Sequence, residues 1–425
     1  MSSQEGRTDR KLGDAPWLTT GQLPRLLDVL DCDGEEARVV GGAVRNALLG
    51  MPIAEIDVAT TAVPEEVIKR VTAVGFKHVP TGIEHGTVTV IVDKQPFEVT
   101  TLRKDVETYG RRAKVEFGGD WKADAERRDF TINALSAARD GTVFDYTGGL
   151  DDLARRRVRF IGDPAKRIAE DYLRILRFFR FHAAYGTSDH PDPAGLIACI
   201  QGRNGLDELS RERVRMEMMK LVVAPHAVPT LISMTDAGIA AARAWRRELS
   251  GKFREYGQGG GGSRVEPNAV RRLGALAVAI PEDAERLWQR LRLANSERER
   301  LASMGESWGR ISPLYGEKAG KALLYRLRPQ QFTDRVLLGW ARSQATAHDA
   351  EWHALATLSQ RWTAPVFPLK AADFMKRGVV QGPMLGVAIA AAEQAWIAAG
   401  FPSDQAALTA IAEEIARAPA SPLQS

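Results

Sequence analysis

The stretch Arg38-Val-Val-Gly-Gly-Ala-Val-Arg45, followed shortly by Glu55-Ile-Asp57-Val-Ala-Thr60, decides how the chain is read. The β-branched Val39 and Val40 predict a short strand that runs into Gly41-Gly42, and Ala43–Leu49 then predicts a helix. Two glycines let the backbone approach a ligand closely, and the helix N-terminus offers free N–H groups at the positive end of its dipole. Arg45 adds a charge-assisted donor on the first turn. Such a turn suits a triphosphate, although a glycine pair between strand and helix is also ordinary turn chemistry. In Glu55-Ile-Asp57 a strand would put both carboxylates on one face, about 6–7 Å apart at Cα, with Ile56 and Val58 facing the core. Carboxylates so placed can share Mg2+, a hard cation that prefers oxygen ligands, and they also fit a plain exposed strand face. Glu98, in Phe97-Glu-Val-Thr-Thr101, is a third acid on a neighbouring predicted strand. Three carboxylates on adjacent strands beside a phosphate-binding turn would form a two-metal site for nucleotidyl transfer.

Around this centre, short β-branched runs alternate with helical stretches from Pro16 to about Thr147, and Asp93-Lys-Gln-Pro96 reads as a hairpin turn. After Gly148-Gly149 the strand signals largely vanish and helical periodicity carries the rest. The first 15 residues are polar and read as disordered. Gly257-Gln-Gly-Gly-Gly-Gly-Ser263 follows no strand and precedes no GK[ST], so it reads as a linker rather than a phosphate loop. Ala364-Pro-Val-Phe-Pro368 is a second candidate boundary.

The chain has 425 residues, enough for about three domains, with 44% hydrophobic and 26% charged residues, the composition of an ordinary globular protein. Two cysteines, Cys32 and Cys199, exclude a disulfide scaffold and a Cys-rich zinc module. No apolar run approaches the roughly 20 residues that span a bilayer, and the polar N-terminal stretch lacks the apolar core of a signal peptide, so a cytoplasmic location is expected. The net charge of +4 hints weakly at a polyanionic partner. Between Arg155 and Arg180, however, nine Lys or Arg face three acids. A solvated helix face would explain that excess, and so would nucleic acid.

Further along the chain, Arg127-Arg-Asp-Phe-Thr-Ile-Asn-Ala134 follows an RRDxxxNA pattern. Asp145-Tyr-Thr-Gly-Gly-Leu-Asp-Asp-Leu153 follows it, and Glu170-Asp171-Tyr-Leu-Arg174 reads EDxxR. With Gly41-Gly-x-Val-Arg45 and Glu55-x-Asp57, these segments in this order resemble a class II tRNA nucleotidyltransferase (CCA-adding enzyme) of the poly(A) polymerase family. The match is dense from about Arg38 to Leu221. Beyond it only Gly378-Val-Val-Gln-Gly-Pro-Met-Leu-Gly386 is similar to a tail segment of such enzymes. Two positions depart from the pattern: Glu55 stands where relatives more often carry Asp, and Asn46 where Asp is common after GGxVR.

The resemblance implies an α+β fold, with a polymerase-β-like palm of mixed sheet and helices followed by an all-helical neck, body and tail. The expected boundaries are a disordered 1–15, a nucleotidyltransferase head at 16–147, a nucleobase-reading neck at 148–245, and a tRNA-binding body and tail at 246–425. It implies that Glu55, Asp57 and Glu98 are catalytic and hold Mg2+. Gly41, Gly42, Arg45, Arg127, Arg128, Asp129, Asn133, Asp171 and Arg174 would bind the nucleotide. Two adjacent arginines suit a triphosphate, and Asn133 can both donate and accept at a ribose hydroxyl.

Base choice follows from chemistry. On a helix expected from Asp163 to Phe181, Asp171 and Arg174 lie at i and i+3 on one face. An ionised Asp only accepts hydrogen bonds and an Arg only donates them. The amino group and ring acceptor of cytosine or adenine complement such a pair, whereas uracil and guanine would leave buried groups unpaired, a mismatch worth roughly 10⁴–10⁵ in discrimination. The implied partners are tRNA and the substrates CTP and ATP, with the cationic stretch and Ser210–Glu217 serving nucleotide and RNA, and no membrane. Arg103–Phe117 would be the flexible loop that relatives use in passing from C to A. A poly(A) polymerase, an enzyme adding only A or only C, and a catalytically inert RNA-binding protein stay open. His348-Asp349 gives no support for a fused metal phosphohydrolase in a chain of seven histidines.

Overall fold

Ala37–Val40 is buried along its whole length, as a strand inside a sheet requires. In the computed structural model the described residues are 6–13, 15–109, 112–186, 190–239, 267–306, 311–346 and 348–417. The chain divides into two units, Met1–Arg247 and Glu248–Ser425.

The strands of the first unit are β1 (Arg7–Lys11), β2 (Ala37–Val40), β3 (Asp57–Thr60), β4 (Lys77–Gly82), β5 (Thr87–Val92), β6 (Gln95–Thr101), β7 (Arg103–Tyr109), β8 (Arg112–Phe117), β9 (Ser136–Ala137) and β10 (Thr142–Phe144). Eight form one sheet in the order β1-β10-β9-β2-β3-β6-β5-β4. All its pairings are antiparallel except β3 with β6, which makes it a mixed sheet. Strict alternation builds β5, whose Val88, Val90 and Val92 are buried. The helices are α1 (Pro16–Thr19), α2 (Gln22–Leu30), α3 (Gly42–Leu48), α4 (Pro64–Ala73), α5 (Trp121–Glu126), α6 (Gly149–Ala154), α7 (Pro164–Glu170), α8 (Leu173–Tyr185), α9 (Pro193–Gly202), α10 (Arg211–Val222) and α11 (Ala227–Asp236). Leu23, Leu26, Leu27 and Leu30 of α2 and Val67 and Val71 of α4 are buried where these helices pack on β5.

Three expectations change. Residues 1–15 are not wholly disordered: β1 pairs antiparallel with β10, and Thr8 donates to the Val143 carbonyl at 2.9 Å. Backbone pairing at a sheet edge needs no apolar side chains, so composition alone conceals it. Glu55 and Asp57 do not share a strand, because β3 begins at Asp57. Its partner β2 ends opposite Asp57 at Val40 and turns away at Gly41, so residues 55 and 56 have no β2 backbone to pair with. The helix expected over Asp163–Phe181 is two helices. Asp171, in extended conformation (φ −160°, ψ 107°), interrupts it between α7 and α8. The stretch Arg103–Phe117 contains the antiparallel strands β7 and β8.

An aromatic seam fixes the second half of this unit to the first. Phe130 packs on Phe160 with centroids 4.8 Å apart, and Phe160 stacks on Phe178 of α8 at 5.3 Å. Asp145 closes the turn into α6 by accepting four backbone N–H groups, from Thr147 to Leu150. The fully buried Asp152 carboxylate binds Arg157, Arg159 and the Thr131 hydroxyl.

Every regular element among the described residues of the second unit is a helix. Asp334, fully buried, accepts from Arg271 and Arg300 and ties helices Ala269–Ala277 and Asn295–Gly305 to Pro329–Arg342. Phe367 packs against the core that holds Trp396 and Phe374, so Ala364–Pro368 joins that core rather than linking two bodies. Asp349 caps helix Ala350–Ala356 by accepting from the Glu351 and Trp352 N–H groups. The expected linker Gly257–Ser263 lies outside the described residues. No helix among the described residues is long and apolar enough to cross a membrane.

Candidate active site

The sheet register brings the acids together. The Cα of Asp57 pairs with Val40 on one side and, across the parallel β3–β6 pair, with Glu98 on the other. Paired residues on neighbouring strands project to the same face about 4.8 Å apart. Burial raises the Asp57 carboxyl above its ordinary pKa, Glu98 and Glu55 raise it further, and Arg128 opposes them. Glu55 is exposed and sits ahead of the strand, and among the described residues no three acidic, histidine or cysteine side chains form a ready-made metal-ligand set. Two apposed carboxylate donors, one of them resisting ionisation, are the donor chemistry a hard divalent cation relieves, so these residues fit one.

Next to the acids lies the glycine turn. Gly41 has φ +69° and donates its N–H to the Leu135 carbonyl at 2.9 Å. A Cβ there would sit 3.3 Å from Arg128 Nη1, a tight contact, and the positive φ itself favours glycine at this position. Arg127 and Arg128 are held as a pair by Asp124, whose Oδ1 accepts from Arg127 and Oδ2 from Arg128. Burial would raise the Asp124 pKa, but Arg128 and Arg127 outweigh it and hold the carboxyl below its usual range.

Arg45, Asp129 and Asn133 are more committed than their sequence suggests. Arg45 is buried rather than presented to a phosphate, and burial pushes its guanidinium down to about 10. It donates to Asn133 Oδ1, Asn46 Oδ1 and the Tyr185 hydroxyl (2.6 Å), and its charge lies 3.9 Å from the Tyr185 ring centroid. Asn46 in turn donates to the Pro52 carbonyl, so its loss of charge relative to the motif leaves it a tether for the loop before β3. Asn133 donates to Asp129 Oδ1 at 3.1 Å, and Asp129 Oδ2 accepts from Arg177 at 2.6 Å. Burial works against ionised Asp129, yet Arg177 and the Asn133 amide keep its pKa below the usual value. These groups link the turn to α8.

At the helix break, Asp171 and Arg174 do not pair with each other. Asp171 accepts two bonds from Arg213 of α10, at 3.1 and 2.6 Å, and one from the Leu173 N–H. Arg174 directs Nη1 to Glu170 and to the Arg167 carbonyl. Its Nε and Nη2 have no hydrogen-bond partner among the described residues, and Asp171 keeps lone-pair capacity. Asp171 and Arg174 are thus each anchored by a different partner, Arg213 and Glu170.

Asp124, Arg167, Glu170, Tyr185 and Arg213 belong to this arrangement and were not expected from the sequence as site residues. Asp124 and Glu170 had a readable signal, their i, i+3 and i, i+4 spacing from the arginines they hold. The cationic stretch also sorts itself. Arg157 and Arg159 bind Asp152, Arg167 and Arg174 bind Glu170, Arg177 binds Asp129, and Arg180 binds Glu217. Arg155, Arg156 and Lys166 are exposed and make no ion pair among the described residues.

Comparison with known proteins places this geometry. Residues 37–159 match the poly A polymerase head domain, and residues 192–242 match a probable RNA and SrmB-binding site of polymerase A. The chain is 33% identical over 398 residues to the mitochondrial CCA tRNA nucleotidyltransferase 1 of Homo sapiens, covering 90% of this chain and 88% of that protein. It is 31% identical to the CCA-adding enzyme of Limosilactobacillus fermentum, over 92% of this chain and 96% of that one. Among solved structures it resembles the Bacillus stearothermophilus CCA-adding enzyme in complex with CTP, with a TM-score of 0.72, 26% identity, and coverage of 92% and 95%. The Thermotoga maritima CCA-adding enzyme complexed with tRNA shares the fold, with a TM-score of 0.64, 17% identity, and coverage of 92% and 94%.

Proposed function

The chain belongs to the CCA-adding tRNA nucleotidyltransferase family, and from that premise we propose that it extends the 3′ end of tRNA by C, C and A, from CTP and ATP, without a nucleic-acid template. The observation that carries the reading is the Asp57–Glu98 register beside the Gly41 turn and Arg128. In the reaction the tRNA 3′-hydroxyl oxygen forms a bond to the α-phosphorus, the bond to the β-phosphate bridge breaks, and pyrophosphate leaves as the hydroxyl proton is lost. Asp57 and Glu98, with Glu55 as a third donor, are the groups that would hold Mg2+, which when bound neutralises phosphate charge and lowers the pKa of the attacking hydroxyl. Arg127 and Arg128, oriented by Asp124, take the triphosphate beside Gly41-Gly42. Asp171 and Arg174 read the base edge, with Arg213 and Glu170 holding each in place. Asn133 and Asp129 flank the ribose from fixed positions.

The helical unit Glu248–Ser425 and the unpaired Arg155, Arg156 and Lys166 are assigned to tRNA phosphates. Two free cysteines, one of them buried, favour a reducing compartment, for which we take the cytoplasm. Replacing Glu98 by Ala tests the acidic pair: nucleotide incorporation should fall by more than about 10³-fold while tRNA binding is kept. Retained turnover in that variant would refute the assignment.

A further inference from the structure

Arg167 lies between the two halves of the site without belonging to either. Its Nη2 donates to the backbone carbonyls of Arg127 and Arg128, the latter at 2.5 Å, and its Nη1 donates to Glu170 Oε2 at 2.6 Å. Its own carbonyl accepts from Arg174 Nη1 at 2.6 Å, and Glu170 accepts from both Arg167 and Arg174. The side chain is only 13% exposed, and its Nε is buried without a partner. Burial lowers the pKa of this guanidinium, the Arg174 charge lowers it further, and Glu170 compensates. A buried arginine beside the charge of Arg174 is costly to keep for stability alone. What it accomplishes geometrically is to tie the backbone of the triphosphate arginines to the carboxylate that steadies the base-reading arginine.

We propose that Arg167 is a positioning residue that couples recognition of the base to alignment of the triphosphate. This rests on the assignment of Arg127 and Arg128 to phosphate and of Asp171 and Arg174 to base given above. A base that seats correctly against Asp171 and Arg174 holds Arg174 against Glu170, and through Arg167 keeps in place the carbonyls that set the Arg127–Arg128 backbone. A wrong base leaves that backbone unset, so the α-phosphate is misplaced for attack, and small misplacements are expensive in rate. Discrimination is thereby expressed in the rate of transfer as well as in binding.

The experiment compares the full chain with Arg167→Met, which keeps the bulk and removes the donors, and Arg167→Lys, which keeps the charge and loses the fork. Single-turnover incorporation of CTP and of UTP is measured on a tRNA transcript lacking its 3′ CCA. Arg167→Met should lower the rate with CTP by about 10- to 100-fold with little change in apparent nucleotide affinity, and should shrink the CTP-over-UTP preference by at least about 10-fold. Arg167→Lys should fall between. A wild-type CTP-over-UTP ratio in either folded variant, even with a uniform drop in rate, overturns the proposal, and if Arg167→Met fails to fold, Arg167→Lys decides by the same ratio. Failure of the underlying assignment looks different: Asp171→Ala would then leave the base preference of an otherwise unmodified chain unchanged.

Discussion

Replacing Asp57 by Asn separates a carboxylate kept for chemistry from one kept for stability. Burial and the apposed Glu98 raise the Asp57 pKa in the folded protein, so the native state holds this proton more tightly than the unfolded chain does. Stability is then lost as pH rises from the unfolded to the folded pKa, and at neutral pH the ionised Asp57 is a net cost. Register partners on adjacent strands sit about 4.8 Å apart, where two like charges repel by about 1 kcal/mol in water-like surroundings and about 4 kcal/mol at an intermediate dielectric. Although crowding removes water from the Asp57 carboxyl, the residue as a whole remains exposed, so the lower figure applies. In a unit of this size about 1 kcal/mol is about 2–4 °C in Tm. With EDTA present, Asp57→Asn should therefore melt about 2–4 °C above wild type at neutral pH, and the gap should close as pH falls through the raised pKa. Millimolar Mg2+ should raise the wild-type Tm and move the variant less, because the cation binds only where the carboxylate pair is intact. The same variant should incorporate no nucleotide. A melting point below wild type in EDTA would show that the carboxylate supports the fold, and the reasoning would be wrong.

Arg213→Gln removes the bidentate anchor of Asp171, and rejection of UTP should weaken by about 10-fold while the melting point changes little, read by competitive incorporation and calorimetry. Unaltered selectivity would mean that Asp171 is oriented by its helix break alone. Asp334→Ala strips two arginines of a fully buried carboxylate, and the helical unit should lose about 3–5 kcal/mol, seen as a lower denaturant midpoint. A loss under about 1 kcal/mol would mark that hub as dispensable.

Much of the head was legible because its signals are local. The strand–Gly41-Gly42–helix passage is written in consecutive residues, and so is the alternation of β5 that sets the register of β6 and hence of Glu98. What was hidden depends on partners far along the chain. Glu55 falls outside β3 because β2 turns away at Gly41, a fact about a neighbouring strand rather than about residues 55 to 57. The i, i+3 spacing of Asp171 and Arg174 is real, but the break at Asp171 and the reach of Arg213, 42 residues away, give each a different partner. Arg45 reads as a charge-assisted donor on a first helical turn, and only the folded chain reveals Tyr185 of α8 stacked against it. The nine cations between Arg155 and Arg180 illustrate the same limit: Arg157, Arg159, Arg177 and Arg180 pair with acids outside helical spacing, and only the Glu170 pairs with Arg167 and Arg174 follow it.

The central claim is that this chain builds CCA on tRNA with its own side chains as template. The measurement that tests it most directly is incorporation on a tRNA transcript lacking its 3′ end, with Mg2+ and each NTP alone and in mixture, the product ends being read by sequencing. The account predicts growth by C, C and A followed by arrest, with no use of UTP or GTP. Unlimited A addition, a single A, two Cs without A, or no incorporation at all would contradict it.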